Sequence, residues 1–385
     1  MNTQEMKVLT LSGTPTMRGH TIGESLCDEI RLVVEKHEHA IGEGTGYCIE
    51  DYLREFSSHC NHIAAIEKWA PDHLEEVYAT ADAVNIDRNR FLLFQLIDEH
   101  WAFDAYHYAK RARIHNKCTS FGVVGEDGQP TFAGQNMDIP SYVEGHQILL
   151  HIQYPDSDLE SLIYTFAGSI SLCGMNNSPL GINLNTLMQL GYKNDGLPIV
   201  FLVRLLLETA SYEQAVRLLN SAPISTGINV TVSEPGRVGA FECSPNKIVE
   251  YRPREDGRRV CHSNHPLVNG DTGHFEQLKQ ITPESKWIAG YASTCSRLAS
   301  MSARTVNRQG PIKLDDLKAA LRASDDPINP VCRGTSTDIN SSVIAYTAGS
   351  MVYELSDNPQ MNLASGPPTE AEFVTFGFAK KYLQQ

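Results

Sequence analysis

Cys118-Thr119-Ser120 stands where the chain changes from one pattern to another. A cysteine attacks as its thiolate, and the free thiol has a pKa of about 8.5. The preceding stretch, Lys110-Arg111-Ala112-Arg113-Ile114-His115-Asn116-Lys117, is basic in an acidic chain, and nearby cations favour the thiolate. The alternative is a buried cysteine at the start of a strand, because Cys is among the most buried residue types. Twenty residues on lies Gly134-Gln135-Asn136-Met137-Asp138, at the end of the second strand of an expected hairpin. A hairpin of that length brings Asp138 beside Cys118. Alone, Asp138 is an aspartate opening a turn before Ile139-Pro140. The pairing with Cys118 makes it a site candidate.

Two further stretches offer chemistry. In Gly181-Ile182-Asn183-Leu184-Asn185 a period of two puts Asn183 and Asn185 on one strand face. Two amides there either line a site or form an exposed polar face, since burying them unpaired is costly. Cys261-His262-Ser263-Asn264-His265 offers a thiol and two imidazoles, the donor types of a zinc site, but no second ligand cluster follows. One of these histidines could instead serve Cys118 as a base. Nine of the 14 histidines lie within residues 1–117, however, and spacing does not choose among them. Gly42-Glu43-Gly44-Thr45-Gly46-Tyr47 lacks the third glycine of a dinucleotide fingerprint and follows no strand. There is no P-loop, no G-x-S-x-G elbow and no H-E-x-x-H.

The elements that must position these residues fall into two blocks. Lys7 to Leu11 reads as a strand, and from Arg18 to about residue 108 the pattern is helical, with Ile22, Leu26, Ile30 and Val34 on one face. Tyr52 to Trp69 and His73 to Ala83 read as two more helices, and Phe91 to His100 as a buried apolar run. After residue 117 strands take over: Ser120–Val124 and Pro130–Gly134 around a Glu126-Asp127-Gly128-Gln129 turn, then Ile148–Tyr154, Leu162–Phe166 and Leu180–Leu187. Helices follow at Ile199–Thr209 and Tyr212–Leu219, the second opening on Ser211 and Gln214 with capping-box spacing. A second hairpin turns at Pro235-Gly236, Glu276–Ser302 and Leu314–Ala323 are helical, and a third hairpin is expected around Ala348-Gly349-Ser350. Hairpins separated by helix pairs predict an antiparallel α+β layout.

Composition narrows the function classes. The 385 residues are 41% hydrophobic and 20% charged, which excludes whole-chain disorder. Lys+Arg 32 against Asp+Glu 46 gives a net charge of -14, opposite to the basic surplus of a nucleic-acid or anionic-membrane binder. The nine cysteines are odd in number and widely spaced, without a C-x-x-C pair, so a disulfide framework is not expected. No apolar run is long enough to span a bilayer, and the start carries no apolar signal-peptide core. A cytoplasmic protein with no nucleic-acid or membrane partner is expected.

The chain resembles the acyl-coenzyme A:6-aminopenicillanic acid acyltransferase-like family (peptidase C45 type) of N-terminal-nucleophile (Ntn) hydrolases, and more distantly the choloylglycine hydrolases. The matching pieces are Gly13-Thr14-Pro15 with Arg18-Gly19 and Gly23, Cys118-Thr119, Gly134 to Asp138, Gly174-Met175-Asn176 through Asn183, His262-Ser263-Asn264-His265-Pro266 and Ser296-Arg297. The resemblance implies a four-layer αββα sandwich of antiparallel sheets with a helical N-terminal segment. It implies autocatalytic cleavage of Lys117–Cys118 into a 117-residue α chain (1–117) and a β chain of the remaining 268 residues (118–385). Cys118 would then use its own α-amine as base, Asp138 would hold that amine, and Asn264 would offer its amide to the oxyanion. Asn183 is a further amide candidate, and Arg297 matches an arginine of the choloylglycine hydrolases. Lys117 stands where the acyltransferases often carry Gly, a side chain that would slow the backbone rearrangement of an N-to-S acyl shift. Gln135 stands where choloylglycine hydrolases carry Arg, which favours the acyltransferase side.

The expected function is an acyl-thioester on Cys118 passed to water or an amine, in amide hydrolysis or acyl-CoA-dependent N-acylation. No metal or redox cofactor is needed. The partners would be a small amide or acyl-CoA substrate and the chain's own N-terminal fragment, and the reading allows a homo-oligomer. The alternatives are an uncleaved Cys-His thiol hydrolase with His262 or His265 as base, and a non-catalytic binding protein on the same fold.

Overall fold

The computed structural model describes residues 6–107, 118–155, 157–281, 284–335 and 345–379. A first strand, β1 (Lys7–Leu11), precedes helices α1 (Pro15–Ser25), α2 (Cys27–Thr45), α3 (Ile49–His59), α4 (His62–Trp69), α5 (Pro71–Ala83), α6 (Arg88–Gln95) and α7 (Ile97–His107). Strands then dominate: β2 (Thr119–Val123), β3 (Thr131–Pro140), β4 (Gln147–Gln153), β5 (Glu160–Phe166), β6 (Cys173–Asn176) and β7 (Gly181–Thr186). Helices α8 (Ile199–Leu207) and α9 (Tyr212–Ser221) lead to β8 (Ile228–Glu234), β9 (Arg237–Cys243), β10 (Ile248–Tyr251) and β11 (Arg259–His262). Helices α10 (Gly273–Ile281), α11 (Glu284–Arg304) and α12 (Leu314–Leu321) precede β12 (Ala345–Leu355), β13 (Gln360–Ala364) and β14 (Val374–Phe376).

The strands form an eight-stranded sheet, β1-β4-β5-β6-β7-β8-β9-β10, and a six-stranded sheet, β11-β2-β3-β12-β13-β14. The sheets face one another: Ser120 Oγ donates to Asn185 Oδ1 across the gap at 2.5 Å, and Cys173 Sγ lies 3.1 Å from Met351 Sδ. Helix α8 covers the outside of the larger sheet, where Ser161 Oγ and Asn176 Nδ2 donate to the Leu207 carbonyl. Helices α11 and α12 cover the smaller sheet, packing Met301, Leu317 and Leu321 on Phe121, Phe132 and Val352. The result is the expected four-layer αββα sandwich with a helical N-terminal segment. No described helix is long and apolar enough to cross a membrane.

The N-terminal helices start and pack for local reasons. Thr14 caps α1 by accepting from the Met17 amide, with Pro15 in the first turn. A Cβ on Gly19 would lie 2.3 Å from the Glu76 carbonyl oxygen, so only glycine lets α1 approach α5 this closely. Arg18 and Arg204 both bond the buried Glu76 carboxylate, at 2.7 Å each, which ties α1 and α5 to α8. Farther on, Gln95 spans to the β5–β6 connection: its Nε2 donates to Gly168 and its Oε1 accepts from the Ile170 amide. Ser211 caps α9 as expected by accepting from the Gln214 backbone N–H, but the Gln214 side chain accepts from the Ala210 N–H and not from Ser211, so the box is only half closed.

Several expectations need correction. The third hairpin around Ala348-Gly349-Ser350 is instead the continuous strand β12, with a register shift between Thr347 and Gly349. Gly349 is not a turn residue: a Cβ there would lie 2.3 Å from the Tyr164 ring of the opposite sheet. The real hairpin joins β12 to β13, and residues 342–344 of the expected one lie outside the described residues. The sheets are not wholly antiparallel, because β1 pairs with β4 in parallel. The span Tyr52–Trp69 is two helices broken at Cys60-Asn61, and the Phe91–His100 run is divided at Leu96.

Candidate active site

The hairpin of β2 and β3 builds the site. Its register pairs Thr119 with Asn136 and so brings Cys118 level with Met137. The Cys118 sulfur lies 3.5 Å from Met137 Sδ and 4.0 Å from the Asp138 carbonyl oxygen. Each residue of the Gly134–Asp138 run has a distinct task. A Cβ on Gly134 would meet the Met351 carbonyl at 2.2 Å, so glycine keeps β3 against β12. Gln135 reaches into the opposite sheet, where its Oε1 accepts from the Leu184 amide of β7 at 2.8 Å. Asn136 Nδ2 donates to the Leu321 and Val331 carbonyls and holds the α12 region on the sheet. Asp138 Oδ1 accepts from Thr347 Oγ1 at 2.7 Å, its cross-strand neighbour on β12.

Arg297, fully buried on α11, closes the site from the helix side. Its Nη1 donates to the Cys118 carbonyl at 2.6 Å and to Thr119 Oγ1 at 2.8 Å, and its Nη2 donates to Asn264 Oδ1 at 3.0 Å. Burial pulls this guanidinium down to about 10, opposed by Asp138 and Cys118, so it stays cationic at neutral pH. With its oxygen held by Arg297, Asn264 turns Nδ2 toward the Thr186 carbonyl, 3.1 Å away. The sulfur itself is in the opposite state to a free thiolate. Burial, and then the negative charge of Asp138, push the Cys118 thiol up to about 12, despite Arg297.

An apolar pocket opens beside the sulfur. Its walls include Cys118, Met137, Asp138, Tyr142, Phe166, Leu172, Leu184, Thr186 and Val200, together with Ile97, Asp98 and Trp101 from α7. Thus the N-terminal segment supplies part of the wall. Among the described residues no histidine, lysine or arginine lines it.

The structure therefore brings Cys118, Asp138, Asn264 and Arg297 together. Asn183 does not join them: it is buried between the sheets beside the Tyr353 hydroxyl, away from the pocket walls. Its neighbour Asn185 is engaged by Ser120 and Asn229. Lys117 lies outside the described residues. The Cys261–His265 run points in several directions. Cys261 Sγ meets Ser302 Oγ at 3.1 Å, His262 lies between Glu242 and the Ser263 carbonyl, and His265 Nδ1 meets Thr294 Oγ1 at 2.9 Å. Burial holds His265 down to about 4, hence neutral at pH 7. Sequence reasoning missed Asp98, Trp101, Thr186 and Thr347. The one signal for the first two was Asp98-Glu99 interrupting an apolar helical run, a polar pair where the pattern predicts burial.

Residues 123–358 match the family described as acyl-coenzyme A:6-aminopenicillanic acid acyl-transferase, more than half of the chain. The chain belongs to this family. The match begins at Val123, five residues after Cys118. A curated relative, the 40 kDa form of acyl-coenzyme A:6-aminopenicillanic-acid-acyltransferase from Emericella nidulans, is 24% identical over 279 residues, 71% of this chain and 72% of the relative. Among solved structures the chain is similar to penicillin V acylase from Agrobacterium tumefaciens, at 19% identity and a TM-score of 0.42, covering 68% of this chain and 87% of that one. It is also similar to a mutant conjugated bile acid hydrolase from Clostridium perfringens, at 15% identity and a TM-score of 0.41, covering 70% and 98%. Within the acyltransferase family match lie Asp138, Asn264 and Arg297, the three residues linked around Cys118.

Proposed function

We propose that the chain is a self-processing cysteine Ntn amidohydrolase or acyltransferase, with residues 1–117 and 118–385 as its two products. The observation that carries this reading is a buried nucleophile with no free imidazole beside it among the described residues. Both His262 ring nitrogens face acceptor oxygens, Glu242 Oε1 at 2.9 Å and the Ser263 carbonyl at 2.8 Å, and His265 is spent on Thr294. An uncleaved Cys-His hydrolase relying on His262 or His265 would lack its base. A free α-amine on Cys118 supplies one, with a reference pKa of about 7.7–8.0.

In self-cleavage the Cys118 sulfur attacks the Lys117 carbonyl carbon. The C–N bond breaks, the thiol proton passes to the departing nitrogen, and a thioester joins Lys117 to the sulfur. Water hydrolyses that thioester, leaving a carboxylate on Lys117 and a free amine and thiol on Cys118. The new first residue keeps its place because Arg297 grips its carbonyl and Thr119 continues into β2. In catalysis the amine takes the thiol proton, and the sulfur attacks the substrate carbonyl. Asn264 Nδ2 carries two hydrogens; one is used on Thr186, and the other serves the oxyanion. The leaving amine departs with a proton, and water or a second amine then takes the acyl group from the thioester. Asp138 holds the ammonium form between proton transfers. The acyl-coenzyme A and penicillin vocabulary of the relatives fits an acyl donor and an amine acceptor of this kind.

Intact-mass measurement during incubation with an amide or acyl-thioester donor tests the reading. A burst of acyl mass on the 268-residue product supports it, and loss of that adduct in Cys118→Ala is expected. A binding protein on the same fold gives neither cleavage nor adduct.

A further inference from the structure

Glu242 is a fully buried carboxylate that the reaction scheme leaves unused. It sits on β9 of the larger sheet and reaches across to the end of β11, in the smaller one, and to the loop that follows. Its Oε1 accepts from His262 Nε2 at 2.9 Å. Beyond Pro266, three successive backbone amides converge on the same group. Leu267 donates to Oε1 at 2.5 Å, and Val268 and Asn269 donate to Oε2 at 3.0 and 2.6 Å. Asn269 Nδ2 then returns to the Glu242 carbonyl at 3.0 Å. Burial alone would raise this carboxyl, but His262 and the Leu267 and Asn269 amides outweigh it and hold the group below its ordinary 4.5. The bonds are therefore those of an anion. One charged group grips residue 262 and residues 267–269, and between those two feet stands Asn264.

Asn264 has partners of its own. Its N–H donates to Thr294 Oγ1 at 2.7 Å, and its carbonyl accepts from Gln189 Nε2 at 3.0 Å. Its side chain is shared between Arg297 and the Thr186 carbonyl. These partners come from α11, from β7 and from the segment after β7, so they meet at Asn264 only when the loop follows one path. Hydrogen bonds to an ionised group are roughly twice as strong as neutral ones, which makes the grip at the feet the stiffer constraint on that path. We propose that Glu242 is a positioning residue: by holding both feet of the 262–269 loop it sets the angle at which the Asn264 amide meets the oxyanion, and so raises kcat without touching substrate. The proposal rests on the reading of Asn264 as the oxyanion donor. A carboxylate that only stabilised the fold would lower the melting temperature, but its effect on kcat would not depend on Asn264.

Processed wild type, Glu242→Gln, Asn264→Ala and the double variant are compared on hexanoyl p-nitroanilide and p-nitrophenyl hexanoate. Glutamine offers the loop one acceptor oxygen in place of two. In Glu242→Gln kcat is expected to fall by about tenfold or more, toward the roughly 10²-fold that a misplacement of about 1 Å can cost, with KM within about twofold of wild type. In the Asn264→Ala background the same substitution should cost nothing further, because the amide it aims is gone. Unchanged kcat in Glu242→Gln, a rise in KM with kcat kept, or a kcat loss that persists in full without Asn264 overturns the proposal. Full kcat in Asn264→Ala alone sinks the oxyanion reading instead, and Glu242 loses its catalytic role with it. Should Glu242→Gln not fold or process, His262→Phe, which removes the bond at the first foot and leaves the carboxylate and its three amides, is read by the same criteria. If no probe is turned over, hydrogen exchange at residues 262–265 decides the placement by itself. Faster exchange in Glu242→Gln that includes the Asn264 amide supports the grip, and unchanged exchange there refutes it.

Discussion

Asn264 and Arg297 act as one unit beside Cys118. The guanidinium holds the Cys118 carbonyl and the Asn264 oxygen together, and so aims the Asn264 amide. Asn264→Ala should lower kcat by about 10²–10³ with little change in KM, as for the loss of one oxyanion donor. Steady-state kinetics of processed protein checks this, and a pure KM effect would contradict it. Arg297→Lys keeps the charge but loses the planar fork that reaches Cys118, Thr119 and Asn264 together. It should lower kcat even where the two chains still form, and restore less than half of what Arg297→Ala loses; full activity in the lysine variant would remove the clamp from the account. At this scale the sequence was readable where geometry is local. Cys118 and Asp138 were legible because a hairpin's register puts its ends together. Asn264 and Arg297 came from resemblance, since no spacing rule joins residues on β2, β3, α11 and the loop after β11. Asp98 was not legible, because its place depends on how α7 lies against the β5–β6 connection and α8.

At the level of elements, the buried Arg18–Glu76–Arg204 cluster is the joint between the N-terminal helices and the sandwich. Burial alone would raise the Glu76 carboxyl, but Arg204 and then Arg18 overcome it and hold the group at about 2, below its ordinary 4.5. The sign follows: the contribution to stability is complete above pH 4.5 and disappears as pH falls from there through about 2. Glu76→Gln takes from two buried guanidiniums the carboxylate that both bond and should cost about 3–5 kcal/mol. Urea unfolding at pH 7 measures the loss, and thermal melts from pH 6 to pH 2 should show a shallower acid limb in the variant. An unchanged melting temperature at pH 7 would contradict this. The helical block and an antiparallel α+β layout were legible from periodicity and the αββα layering from the resemblance, but two pairings were not. The parallel partner of β1 is β4, some 140 residues away, and nothing local announces it. In β12 the Ala-Gly-Ser run looks like a turn, while its glycine answers to Tyr164 in the opposite sheet.

For the molecule as a whole, the boundary at residue 117 divides sequence and not structure. Strand β1 lies in the larger sheet, α7 walls the pocket, and Glu76 grips α8, so the two products should stay together after cleavage. Gel filtration of processed protein should give one species containing both chains, and Glu76→Gln should loosen it. The central claim is that Cys118 becomes the first residue of a freed chain and carries the acyl group. Denaturing mass spectrometry of wild type and Cys118→Ala, read beside turnover, tests it most directly. The account predicts chains of 117 and 268 residues in wild type, and in the alanine variant one 385-residue chain without turnover. A wild-type chain that stays whole while turning over substrate, or an alanine variant that keeps its activity, would contradict it.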